Sequence, residues 1–118
     1  MKMLLYLLGL LLVITSCNDI SQKKVDYLAS GSVSAYNLQH INANGELIST
    51  EVFPESAQDT WKYSYMADKG EIVFFSGNYK DINSSLKLMI LVDGKVYKQV
   101  SSKSDTLSIL TVSGTIPY

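Results

Sequence analysis

From Val25 onward the chain alternates. Short runs of Val, Ile, Tyr, Phe and Thr are separated by clusters of Gly, Asn, Asp and Ser, and within the runs apolar and polar residues take turns. In 60–66, Trp61, Tyr63 and Tyr65 fall on one side, Lys62 and Ser64 on the other. In 86–92, Leu86, Leu88, Ile90 and Val92 oppose Lys87 and Met89; in 95–100, Val96, Lys98 and Val100 oppose Tyr97 and Gln99. A period of two puts successive side chains on opposite faces of a strand, one packed and one wet. The run 71–75 is apolar on both faces, which predicts a central strand or one covered on both sides. No stretch sustains the helical period of about 3.6 residues. "PESAQD" at 54–59 is the one place where a short helical turn fits.

Seven strands follow, at 26–38, 46–53, 60–66, 71–79, 86–92, 95–101 and 106–116. Gly31 marks a bulge or bend in the first. Asn44-Gly45 turns the chain into the second, and Pro54 stops it. "DKG" at 68–70 and "KSD" at 103–105 are further turns. Asp93-Gly94 is the strongest short-range signal, a two-residue hairpin that requires positive φ at both positions. Many short strands at this spacing predict an all-β sandwich or barrel. The expected inward set is Val33, Ala35, Ile48, Trp61, Tyr63, Ile72, Phe74, Leu88, Ile90, Val92, Val96, Ile109 and Thr111.

The first 16 residues do not fit that texture. They carry one charge, Lys2, and an apolar run from Met3 to Ile14. As a helix that run is about 18 Å long, short of the roughly 30 Å of a bilayer core. A basic start, a short apolar stretch and small residues at its end describe a signal peptide. The run ends "VITSC", with Ile14, Thr15 and Ser16 ahead of Cys17, the only cysteine in the chain. This resembles the lipobox of bacterial lipoproteins. The resemblance implies cleavage between Ser16 and Cys17 and diacylglycerol on the Cys17 thiol. Residues 1–16 are then a signal peptide, 17–24 the lipidated cysteine and its tether, and 25–118 the domain. Seven tether residues, 18–24, extend to roughly 23 Å, which keeps the domain beside its membrane.

Charge narrows the partners. The net charge is −1; losing Lys2 with the signal peptide makes it −2. All ten basic residues are lysine, none arginine. Arginine supplies the bidentate forks used on bases and phosphates, so nucleic acid is not an expected partner. With Cys17 acylated no thiol remains, and the domain folds without a disulfide.

Candidate catalytic chemistry is sparse. The one histidine, His40, is expected as a solvated residue near the first turn. Metal sites need several His, Cys or carboxylate ligands at set spacings; the carboxylates here are scattered, mostly in turns. No G-x-S-x-G and no phosphate-binding glycine loop occurs. The chain is expected to be no enzyme and to hold no cofactor beyond the covalent lipid. Eight tyrosines raise one alternative. Tyr36, Tyr79 and Tyr97 lie off the inward set and are candidates for an exposed surface that stacks on a glycan or other ligand; cross-strand packing is the competing role.

With the strands placed, three segments stand together: "WKYSYMADKGEIVFFSG", "LKLMILVDGKVYKQVSS" and "LTVSGTIPY". They resemble the MmpS-type transport-accessory domain and similar small lipoproteins of Gram-negative envelopes. The shared features are a strand opening on Trp61, Lys69-Gly70 before an apolar strand, a hairpin built on Ile90, Val92, Asp93, Gly94 and Val96, and a final strand with Val112 to Gly114. The resemblance implies an immunoglobulin-like β-sandwich beyond the cytoplasmic membrane, working beside a transporter or another envelope protein. A lipobox stands where mycobacterial-type members have a transmembrane helix, and their cysteine pair is missing here.

Overall fold

The computed structural model describes residues 22–102 and 109–117. They form β1 (Gln22–Ser30), β2 (Tyr36–Ile41), β3 (Leu47–Val52), β4 (Trp61–Asp68), β5 (Ile72–Tyr79), β6 (Lys87–Val92), β7 (Lys95–Ser101) and β8 (Ile109–Thr115). The strands make two antiparallel four-stranded sheets, ordered β4-β1-β6-β7 and β3-β2-β5-β8. The chain is an all-β sandwich. Ser16, Cys17, residues 18–21 of the expected tether, the turn expected at 103–105 and residues 106–108 of the last expected strand lie outside the described residues.

The stretch expected as one strand, 26–38, is two strands in different sheets. Gly31 adopts φ +88, and the chain leaves the first sheet there. Residues 22–24, expected in the tether, are the first three of β1, with Gln22 opposite Asp68. The consecutive strands β1 and β2 are split between the two layers. Here β1 lies between β4 and β6, and β2 between β3 and β5. Segment 54–59 forms a turn, closed by Asp59 N–H donating to the Ser56 carbonyl at 3.1 Å, not a helical turn.

The buried set is Val25, Tyr27 and Ala29 of β1, Tyr36, Leu38 and His40 of β2, Val73 and Phe75 of β5, Leu88 and Ile90 of β6, and Leu110 and Val112 of β8, with others. Trp61 and Tyr63 pack against it. Several expected inward residues face out instead. Val33 and Ala35 lie on the β1–β2 connection, both exposed. In β5 and β8 the inward parity is the opposite one: Val73 and Phe75 point in, Ile72 is exposed and Phe74 half-buried; Leu110 and Val112 point in, Ile109 and Thr111 out. Where both parities are apolar, alternation does not say which faces the partner sheet. Val96 is exposed because β7 carries a bulge opposite Ile90 and Leu91. One extra residue exchanges the faces beyond it, so Tyr97 turns toward the core and Val96 away.

The sheets come together closely along β7 and β8. Tyr97 Oη donates to the Thr115 carbonyl at 2.7 Å, joining the layers. Its ring lies over Gly114, where an added Cβ would stand 2.7 Å from Oη and 2.9 Å from Cε2. Only glycine leaves room for the ring there. At the other side β3 and β4 keep apart, and large side chains between them fill the gap.

The two ends of the sandwich differ. At the end where β1 begins, Asp93 N–H donates to the Lys24 carbonyl at 2.8 Å, and Lys24 N–H donates to Asp93 Oδ1 at 3.0 Å. Asp93 and Gly94 form the β6–β7 turn with φ +51 and +80. The same end holds the Asn42–Gly45 turn, the Asp68–Glu71 turn and Ile116. At the far end the 31–35, 53–60 and 80–86 connections meet, tied by Ser32 Oγ and Ser84 Oγ at 2.9 Å and by Ser85 Oγ donating to the Gly31 carbonyl at 2.9 Å.

Candidate functional site

The gap between β3 and β4 is filled from both sheets. The inward parity of β4 delivers Trp61, Tyr63 and Tyr65; β1 delivers Tyr27, β2 His40 and β5 Phe75. The ring centroids lie close: His40 to Tyr63 4.6 Å, His40 to Trp61 5.4 Å, His40 to Tyr27 5.5 Å, Tyr27 to Phe75 5.0 Å. His40 was expected in solvent. It is 2% exposed, inside a strand, paired in register with Ile48 and Phe75. Its Nδ1 has no hydrogen-bond partner. Burial lowers the pKa of the imidazole from its ordinary 6.5, because a charge there would lose its water without gaining a counter-charge.

Beside it the Tyr27 and Tyr65 hydroxyls meet at 3.0 Å. Burial and this bond hold Tyr27 far above the ordinary phenol range, and burial raises Tyr65. Both keep their protons at neutral pH and form a hydrogen-bonded pair. On the outer face of the first sheet, Asp26 is buried and accepts a hydrogen bond from Ser64 Oγ. Nothing in the local sequence marks a carboxylate there as buried.

The rings proposed from sequence as a ligand surface do not share one face. Tyr36 and Tyr79 are buried and paired in register with each other. Tyr79 Oη donates to Ser102 Oγ at 2.8 Å, and burial raises the Tyr36 pKa, with Asp59 adding to it. Tyr97 is half-buried over Gly114. The reason is the parity exchange already described: Tyr36 follows the break in the first expected strand, and Tyr97 sits at the bulge.

One of the three, Tyr36, borders an aromatic cleft. Tyr36, Val52, Phe53, Pro54, Asp59, Thr60 and Trp61 line an open cleft of about 250 Å³ at the far end of the β3–β4 gap. Phe53 is 72% exposed on its rim. Sequence reasoning passed over Phe53 because it ends a strand just before Pro54. Among the described residues no cluster of His, Cys, Asp and Glu is placed to hold a metal ion, and no helix is long and apolar enough to cross a membrane. No protein-family model matches the chain, and a search of curated proteins finds no match.

Proposed function

We propose that this chain is a lipid-anchored interaction module of a Gram-negative cell envelope, non-enzymatic and accessory to a membrane transport or other envelope complex. The observation that carries the proposal is the placement of the only cysteine, Cys17, directly after Ile14-Thr15-Ser16 and an apolar run too short to span a bilayer. Two acyl chains at about 0.8 kcal/mol per buried CH₂ hold a protein at a membrane where one would be marginal. β1, a central strand, begins at Gln22, so the anchor pulls on an interior element of the first sheet. The transport-accessory role rests on the resemblance around Trp61, Lys69-Gly70 and Asp93-Gly94. The test is metabolic labelling with a tagged fatty acid. The wild-type chain should take up label and move to the membrane fraction, and Cys17→Ala should do neither. Label retained by Cys17→Ala overturns the proposal.

A second reading is ligand binding, favoured by one observation: Phe53 stands exposed on the rim of a cleft that also contains Trp61. Aromatic faces of this kind stack on sugar rings. A glycan array probed with the chain should then show binding that Phe53→Ala removes without changing the far-ultraviolet circular dichroism. An array with no binding removes this reading.

A further inference from the structure

Both ends of the sandwich expose apolar side chains, the far end at Val33, Phe53 and Ile82 and the end where β1 begins on its outer faces. Leu47 is 56% and Ile72 65% exposed. Ile72 and Ile41 line an open cleft of about 410 Å³ with the Asn42–Gly45 turn and Glu71, and Leu47 is paired in register with Ile41. On the other sheet Met66 and Val96 are also exposed near this end.

Chain length says what this end meets. From Cys17 to Gln22 the backbone reaches at most roughly 17 Å when fully extended. β1 itself runs about 30 Å from there to the far end, at about 3.3 Å per residue. A lipid on Cys17 therefore keeps the Leu47–Ile72 end within reach of the bilayer, and the far end lies farther from the anchor by about the length of β1. Charge argues for an apolar contact. The lysines in 22–24, 68–72 and 93–95 are equal in number to the carboxylates in 42–46, 68–72 and 93–95. The end carries no net charge with which to seek anionic headgroups.

We infer that the Leu47–Ile72 end is a membrane-contact face, with Leu47 and Ile72 entering the boundary between headgroups and acyl chains. The inference rests on the lipid anchor at Cys17. It assigns the domain one orientation: this end down, the Ser32–Ser84 loops and the Phe53 cleft presented outward. Apolar side chains at such a boundary gain stabilisation from burial that salt does not screen.

The test uses the lipidated full chain. Acylation blocks Cys17, so a cysteine introduced at Leu47, Ile72 or Ala43 is the only free thiol and takes an environment-sensitive fluorophore alone. Val33 and Ile82, exposed at the far end, provide the control positions. The proteins are placed in vesicles of phosphatidylethanolamine and phosphatidylglycerol containing a spin-labelled acyl-chain quencher. Probes at 47 and 72 should shift to the blue and lose most of their fluorescence, with no change on raising salt; probes at 33 and 82 should do neither. The Ala43→Cys probe, on the same cleft, replaces whichever of the two fails to fold. Vesicle-bound, lipidated protein whose proximal probes stay unquenched, or whose five probes are quenched alike, overturns the face and leaves the anchor standing. Protein shown by mass to carry no lipid overturns the anchor and the face together.

Discussion

Phe75→Ala is expected to destabilise the domain by about 3–5 kcal/mol. Phe75 is fully buried in the central strand β5, with ring centroids 5.0 Å from Tyr27 and 5.9 Å from Trp61. It is paired in register with His40 on one side and Val112 on the other. Truncation removes the transfer free energy of the ring and leaves a cavity walled by strands of both sheets, which cannot close it without moving a ladder. Aromatic pairs add about 0.5–1.5 kcal/mol beyond burial. Small domains hold only about 5–15 kcal/mol in total, so the loss is a large share. Urea unfolding of the chain from Asn18 should show the midpoint falling with the slope unchanged. Phe53→Ala, an exposed ring of the same type, should stay within about 0.5 kcal/mol of wild type. A loss below about 1 kcal/mol at Phe75 would mean that the two sheets do not pack as described.

The second large effect is acid lability through His40. The folded-state pKa lies below 6.5 because of burial. Above 6.5 the ring is neutral in both states and contributes no pH dependence. As the pH falls below 6.5, the unfolded chain takes up a proton that the folded chain refuses, and stability declines until the folded pKa is reached. The faces of Tyr63 and Trp61 offset part of the cost of charging the ring, at about 0.5–2 kcal/mol, but burying an unpaired cation costs more. His40 is the only histidine, so its ring protons can be followed by NMR without assignment. The titration midpoint should lie below 6.5, and His40→Phe should flatten the stability profile between 6.5 and roughly 5, above the ordinary carboxylate range. A midpoint at or above 6.5, or an unchanged profile in His40→Phe, contradicts this account.

The strands were largely legible because each is a local pattern. In β4 and β6, Trp61, Tyr63 and Tyr65, like Leu88, Ile90 and Val92, point where alternation sends them. The Asp93-Gly94 turn is equally local, since positive φ at two successive residues is a demand on residue type alone. The errors fall where two parities are both apolar or where a residue is gained. "IVFF" in β5 and "ILTV" in β8 fit either face, and the partner sheet chose Val73, Phe75, Leu110 and Val112. The bulge at Tyr97 is set by pairing with β6, a neighbour that alternation within β7 does not represent. His40 was misplaced because a lone histidine near a turn carries no sign of burial; only rings arriving from β1, β4 and β5 create its environment. The Phe53 cleft was missed for the same reason, as its walls come from three separated segments.

By itself the sequence determined that this chain is strand-forming and that its hairpin turns at Asp93-Gly94. These are properties of residue type and near-neighbour order, governed by backbone sterics and side-chain period. The tertiary structure decided which face of each strand is buried, that β1 and β2 belong to different sheets, that β1 already includes Gln22 to Lys24, and which end of the sandwich bears Leu47 and Ile72. Each depends on contacts between residues far apart in the chain, because the burial that selects a face exists only once the second sheet is in place.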